Sequence, residues 1–155
     1  VFGQAEKQRI SFEFYSESNP ENFQIDVCDA KGKRLIQLIH DHENQLHANN
    51  GEKIQLISET LSKGTWNKII IDYNSSSATY NISVNGQTVV QKNKMTAKGN
   101  PERIDFRTGE YRLDRKISKF KSENKQTPGY DEPNADVPKE EAVFYIRSFS
   151  TQTVN

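Results

Sequence analysis

The 155-residue chain has little of several features on which common protein classes depend. Its one cysteine, Cys28, excludes an internal disulfide. No stretch approaches the roughly 20 consecutive apolar residues of a transmembrane helix. The 21 basic and 21 acidic residues cancel, so the chain lacks the positive field that nonspecific binding to nucleic acid or anionic membranes requires. These absences argue against a disulfide scaffold and against a nucleic-acid-binding domain.

Catalytic motifs are also missing. A retaining glycosidase needs two carboxylates about 5–5.5 Å apart, a separation close to the roughly 6.5–7 Å between alternate positions of one strand. The nearest acidic pairs, Glu13 with Glu17 and Asp26 with Asp29, do not have this i, i+2 spacing. There is no Gly-x-Ser-x-Gly nucleophile motif, and the eight glycines are scattered rather than gathered in a phosphate-binding loop. The sequence therefore predicts that the chain is not an enzyme.

The cysteine and the three histidines could in principle be reactive or bind metal. Cys28 lies in FQIDVCDA without an adjacent cation to activate its thiol, so we expect a half-buried, unreactive cysteine. His40, His42 and His47 cluster around one turn, and with Asp41 or Glu43 they could form a metal site. A zinc site needs three or four ligands in place. We therefore interpret the histidines as part of a solvated polar turn.

The chain is rich in aromatic residues, and its apolar and polar residues alternate with a period of two. Eight Phe, six Tyr and one Trp argue against disorder, and apolar residues alternate with polar ones as in strands with one face in water. Two Asn-Gly pairs, at residues 50–51 and 85–86, predict type I′ hairpin turns. The pattern predicts about ten strands, at residues 10–15, 23–28, 35–40, 46–48, 54–58, 66–73, 80–84, 89–90, 103–108 and 142–149.

These strands predict an all-β jelly-roll sandwich of two antiparallel sheets. One domain would cover residues 1–155, with a long charged loop at about 110–141. Tyr73 and Tyr80 are expected to pair across a hairpin. Trp66 opens the most apolar strand, so we place it in the core rather than on the surface as a sugar-stacking platform. The predicted core contains Phe12, Phe14, Ile25, Leu38, Trp66, Ile70, Ile82 and Phe106.

The segment RIDFRTGEYR, residues 103–112, provides the candidate ligand site. With Ile104 and Phe106 facing the core, Arg107 projects to the opposite face, and Tyr111 and Arg112 follow on the next loop. Two arginines beside a tyrosine can bind a carboxylate bidentately and stack on a sugar ring. The predicted ligand-binding residues are Arg107, Tyr111, Arg112 and Tyr130. The alternative is that the arginine forms ion pairs with acidic loop residues, namely Asp131, Glu132 and Asp136.

The middle of the chain resembles a known family. The segment GTWNKIIIDYNSSSATYNISVNG is similar to the concanavalin A-like/laminin G-like signature, in which a Gly-x-Trp strand leads to a Tyr-x-x-x-Val-Asn-Gly hairpin. With FQIDVCDAKGKRLIQL, ERIDFRTGEYR and EAVFYIRSFST, the chain also resembles sandwich modules attached to polysaccharide-degrading enzymes of Bacteroidetes. Together these segments cover most of the chain.

The resemblance implies a concanavalin A-like fold and a non-catalytic carbohydrate-binding or accessory role. It also implies a polysaccharide or oligosaccharide as partner, with acidic glycans among the candidates, together with a catalytic domain or partner protein. An extracellular, periplasmic or cell-surface location is implied as well. The chain starts at Val1 without Met or a signal peptide, which predicts a mature or excised segment. Such sandwiches sometimes hold a structural calcium, but the sequence does not place its ligands, and no other cofactor is predicted.

Two other function classes stay open at this point. A structural sandwich domain packed on a catalytic neighbour would expose an apolar patch. A polysaccharide lyase would use Tyr111 as base, with Arg107 and Arg112 neutralising a uronate carboxylate.

Overall fold

A computed structural model describes residues 5–18, 23–59, 61–62, 64–108 and 141–154 of the chain. Within these residues the secondary structure consists of strands and turns, and no helix is long and apolar enough to cross a membrane. The ten strands of the described part are β1 Lys7–Ser18, β2 Phe23–Cys28, β3 Arg34–His40, β4 Leu46–Asn49, β5 Ile54–Ser58, β6 Asn67–Asn74, β7 Thr79–Val84, β8 Gln87–Lys94, β9 Arg103–Thr108 and β10 Val143–Thr153.

The strands form two antiparallel five-stranded sheets. Sheet 1 has the order β10-β1-β6-β7-β8, and sheet 2 has the order β5-β4-β3-β2-β9. Strand β9 pairs with β2, far back in the sequence, with Arg107 opposite Gln24, and β10 pairs with β1. The predicted all-β sandwich is confirmed. The loop predicted at about 110–141 falls almost wholly on residues 109–140, which lie outside the described residues, so the single-domain boundary stays a prediction.

The core lies between the sheets and follows the alternation of the strands. On β1, Ile10, Phe12 and Phe14 point inward and have no exposed surface. Rings from both sheets meet here, because Phe23 stacks on Phe144 at 4.2 Å between ring centroids. Of the predicted core residues, five are buried and Phe106 packs against the cluster while partly exposed; the five are Phe12, Phe14, Ile25, Leu38 and Ile82. Each fully buried side chain of this size contributes roughly 1.5–3 kcal/mol by transfer from water.

The sequence prediction placed two residues, Trp66 and Ile70, on the wrong face of sheet 1. The inward positions of β6 are Asn67, Ile69, Ile71 and Tyr73, so Ile70 and the preceding Trp66 belong to the outer face, where both are half-buried. A run of three isoleucines satisfies either alternation, and the register with neighbouring strands decides between them. The register with β7 places Tyr73 opposite Tyr80, the pairing that the sequence predicted.

The two Asn-Gly pairs form different turns. Asn85 and Gly86 have φ values of 50° and 85°, the two positive angles of the predicted type I′ turn. In the other hairpin only Gly51 has a positive φ, and β4 and β5 are separated by residues 50–53. The type I′ prediction is therefore wrong for this hairpin, where Asn50 instead accepts hydrogen bonds from the backbone N–H groups of the next residues.

His40 also differs from the expectation of a solvated turn. It is the last residue of β3, only 1% exposed, with its ring edge-on to Phe14 at 5.3 Å and near Phe144. Burial lowers the pKa of His40 to about 4 from the ordinary 6.5, because the charged imidazolium loses its hydration. His40 is consequently a neutral part of the aromatic core.

This burial predicts an acid-sensitive fold. His40 becomes protonated near pH 6.5 in the unfolded chain but only near pH 4 in the folded chain. The free energy of unfolding therefore decreases as the pH is lowered between these two values. Lowering the pH from 7 to 5 should reduce the free energy of unfolding by about 2 kcal/mol, measured by urea denaturation. The variant His40→Phe should lose this dependence and the matched variant His42→Phe, at an exposed position, should keep it. An unchanged pH dependence in His40→Phe would contradict the assignment.

Candidate functional site

The outer face of sheet 2, which points away from sheet 1, is unusually rich in buried polar groups. Gln24, Asp26, Gln37 and Asn49 occupy outward positions of the three strands β2, β3 and β4, and all four are buried. A buried polar group costs free energy unless it is hydrogen-bonded. Their partners therefore define the organisation of this face.

Three side-chain hydrogen bonds connect four neighbouring strands. Asn49 on β4 donates to Gln37 Oε1 on β3 at 3.0 Å, and Gln37 Nε2 donates to Gln24 Oε1 on β2 at 3.3 Å. From β9, Arg107 Nη2 donates to the same Gln24 oxygen at 3.1 Å. This amide row, defined as Asn49, Gln37, Gln24 and Arg107, fixes the arginine at the end of a continuous chain of hydrogen bonds.

Asp26 is the acidic centre of the face. Its side chain is 4% exposed, and it forms ion pairs with Arg107 and with Arg34, whose Nε lies 3.0 Å from Oδ1. A buried carboxylate needs such partners, because an unpaired charge in this position would be strongly destabilising. Close by on β9, Arg103 pairs with Asp105 at 3.1 Å. On strands β2, β3 and β9, three outward arginines thus surround two outward aspartates, leaving one positive charge in excess.

Arg107 differs from its partners in its accessibility. Its side chain is 40% exposed, although Asp26 beneath it is buried. Nη2 serves both Gln24 and Asp26. Of the five N–H groups of a guanidinium, the remaining three have no partner among the described residues. Arg107 therefore offers an oriented edge of positively charged N–H donors, which is suited to binding a carboxylate.

Asp41, which directly follows β3, is paired with His47 on β4, which β2 and β3 separate from β9. His47 Nε2 lies 2.7 Å from Asp41 Oδ2. Burial raises the pKa of Asp41, but hydrogen bonds from the Gln45 backbone and from His47 outweigh it, so the net shift is downward. Among the described residues no group of three or more His, Cys, Asp or Glu side chains could hold a metal ion.

The sequence identified only part of this arrangement. Arg103, Asp105 and Arg107 face outward as predicted, but Tyr111, Arg112 and Tyr130 lie outside the described residues, so their role stays a prediction. The acidic loop residues proposed as ion-pair partners, Asp131, Glu132 and Asp136, lie outside them too. The observed ion-pair partner of Arg107 is Asp26 on β2. Nothing in the sequence indicated that β9 would lie beside β2.

Comparison with known proteins identifies the family. Residues 1–118 match the family model described as "Sialidase-like, CBM domain", where CBM denotes a carbohydrate-binding module. The chain belongs to this family. It is therefore a non-catalytic carbohydrate-binding module, as the missing catalytic motifs predicted, and the lyase hypothesis has no support. No curated protein matches the chain in sequence.

Solved structures show the same sandwich as this module. A sialidase aligns with a TM-score of 0.75 and 21% identity over 97% of this chain, which spans only 14% of that protein. A galectin from Caenorhabditis elegans aligns with a TM-score of 0.55 and 13% identity, over 70% of this chain and 80% of the galectin. A Trypanosoma rangeli sialidase mutant gives 0.52 and 9%, over 70% of this chain and 18% of its own. At these identities the similarity establishes a lectin-like sandwich fold.

Cys28 belongs to the same outer face and is protected there. It is buried, and its thiol lies 3.7 Å from Asp105 Oδ2. Burial, followed by the negative charges of Asp105 and Asp26, raises the pKa of Cys28 to about 11. Since the thiolate is the nucleophile, the cysteine is unreactive in the folded module, as predicted.

We expect Cys28 to resist alkylation by iodoacetamide at pH 8 in the folded module and to react readily in 6 M guanidinium chloride. The difference should be at least about a hundredfold in rate, because a pKa about two units higher removes most of the thiolate and burial limits access. Intact-mass spectrometry follows the reaction. Equal rates in the two states would contradict the buried, protonated thiol.

Proposed function

We propose that this carbohydrate-binding module recognises an acidic glycan through Arg107 on the outer face of sheet 2. The observation that supports the proposal is the combination of a 40% exposed guanidinium, its unused N–H groups among the described residues, and a local excess of one arginine over the aspartates. A carboxylate accepts two parallel hydrogen bonds from such an edge.

The surrounding residues prepare this arginine for binding. Gln24 and Asp26 both hold Nη2, and the amide row connects Gln24 through Gln37 to Asn49. A guanidinium fixed in this way loses little conformational freedom when a ligand binds, which improves affinity. Arg34 also pairs with Asp26. The negative charge of Asp26 is therefore compensated by a second arginine when Arg107 binds a ligand.

The family suggests which acidic sugar to test first. The fold matches part of a sialidase, and sialic acids carry a carboxylate at the ring carbon that forms the glycosidic bond. We infer that the module serves as an exported accessory domain, extracellular, periplasmic or on the cell surface, beside a catalytic domain that degrades complex glycans. We also propose that this module is related to the laminin G-like modules attached to polysaccharide-degrading enzymes.

The test compares 3′-sialyllactose with lactose, which lacks only the acidic sugar. By isothermal titration calorimetry, the wild-type module should bind sialyllactose more tightly than lactose. Arg107→Gln should weaken sialyllactose binding at least about tenfold, since a hydrogen-bonded charge contributes roughly 1.5–3 kcal/mol. The effect on lactose binding should be small, because the lost interaction involves the carboxylate.

Two variants serve as controls. Arg107→Lys keeps the charge and should recover only part of the affinity, because an ammonium cannot bind a carboxylate bidentately. Lys94→Gln removes an exposed cation paired with Glu52, outside the Arg107 site, and should bind sialyllactose as the wild type does. Thermal unfolding establishes that each variant is folded. Equal binding of the two sugars by the wild type, or unchanged binding by a folded Arg107→Gln variant, would refute the proposal.

A further inference from the structure

The outer face of sheet 1 has an organisation that the acidic-glycan site does not use. Three aromatic side chains lie in one row across neighbouring strands: Tyr145 on β10, Tyr15 on β1, and Trp66 just before β6. Tyr15 and Tyr145 are direct cross-strand partners with ring centroids 6.0 Å apart, and Tyr15 and Trp66 are 5.6 Å apart. Tyr145 is 49% exposed, so the row presents an accessible aromatic surface rather than a core contact.

The aromatic row borders a shallow groove along the same face. The groove has a volume of about 290 Å³, and its walls combine hydroxyl, amide and charged groups; they are Arg9, Ser11, Glu13, Lys68, Ile70, Ser148, Ser150 and Gln152. Arg147 connects the groove with the row, because its guanidinium lies 3.9 Å from the Trp66 ring centroid and its Nε donates to Glu13 at 2.7 Å. Among the described residues, Ile70 is the one large aliphatic side chain in the groove wall.

The described charges around the groove and the aromatic row leave no positive excess, in contrast to those around Asp26 on sheet 2. Arg9 forms a bidentate pair with Asp72 at 2.7 and 2.9 Å, and Arg147 is paired with Glu13. The Tyr145 hydroxyl donates to Glu17 at 3.0 Å. With Lys68 added, the described residues of the groove and the row include three cations and these three carboxylates, and Glu141 adds a further negative charge near Tyr145. An anionic ligand gains little from such a surface, whereas an uncharged ligand with many hydroxyl groups finds donors and acceptors of both kinds.

From these features we infer a second saccharide-binding surface on the outer face of sheet 1, selective for neutral sugar residues. The apolar C–H face of a pyranose ring stacks on Tyr145, and its hydroxyls hydrogen-bond with the serines and Gln152 of the groove. A protein partner of the usual kind would bury a more apolar centre than this groove offers. The module would then contact an extended glycan on two opposite faces, an acidic residue on sheet 2 and neutral residues on sheet 1.

Trp66 makes the surface directly observable. It is the single tryptophan of the chain, and it contacts both Tyr15 and Arg147. Its fluorescence therefore reports events at this face, and the opposite face contributes no tryptophan signal of its own. The second site can be tested whether or not Arg107 binds acidic sugars.

The experiment is a fluorescence titration of the module with lactose, N-acetyllactosamine, cellohexaose, mannohexaose and xylohexaose, paired with affinity electrophoresis in gels containing the matching polymers. At least one neutral glycan should change the Trp66 emission saturably. Tyr145→Ala should weaken that binding about three- to tenfold, the effect of losing an aromatic contact. Tyr145→Phe, which keeps the ring and loses only the hydroxyl bond to Glu17, should retain most of it.

Arg107→Gln should leave the titration unchanged, which separates the second surface from the acidic-glycan site. A saturable change that Arg107→Gln abolishes and Tyr145→Ala does not would overturn the inference, because binding would then depend on sheet 2. No emission change and no gel retardation with any of the five glycans would overturn it as well. Folding of Tyr145→Ala is verified by thermal unfolding.

Discussion

Strand β1 lies between β6 and β10, and its inward side chains hold the two sheets together. Ile10, Phe12 and Phe14 are completely buried, and Phe12 contacts Phe106 of sheet 2 edge-on at 5.3 Å between centroids. Because successive side chains of a strand point to opposite faces, this inward set also fixes what faces outward. A one-residue slip of β1 would exchange the core with the charged outer surface.

The same constraint gives the two outer faces their different characters. On sheet 2 the outward side chains near Asp26 are buried polar groups, which persist only because hydrogen bonds and ion pairs satisfy them. Such a network contributes little to net stability, since desolvation offsets most of its attraction. Its effect is to orient Arg107, whose Nε and Nη1 groups have no partner among the described residues. On sheet 1 the outward groups are accessible, aromatic at one end and without a positive excess among the described charges around the groove and the aromatic row.

His40 and Cys28 show how the environment, rather than residue type, determines chemical behaviour. Both residues belong to classes that often bind metal or act as nucleophiles, yet burial keeps the imidazole and the thiol uncharged near neutral pH. His40 completes an aromatic cluster, and Cys28 lies beside Asp105. Neither participates in the proposed binding chemistry, which depends on arginine and tyrosine side chains. This agrees with a non-catalytic carbohydrate-binding module.

Alternation of apolar and polar residues determined the strands, the all-β class and most of the core, because a period of two is a local property that any strand of the sequence displays. It also placed Arg107 on an outward face, and Asp26 alternates in the same way with the buried Ile25 and Val27. Only the tertiary structure decided that β9 pairs with β2, which brings these two residues together across 81 positions of sequence. It decided as well that Trp66 joins Tyr15 and Tyr145 on the surface, because a run of apolar residues after Trp66 fits either alternation until neighbouring strands fix the register.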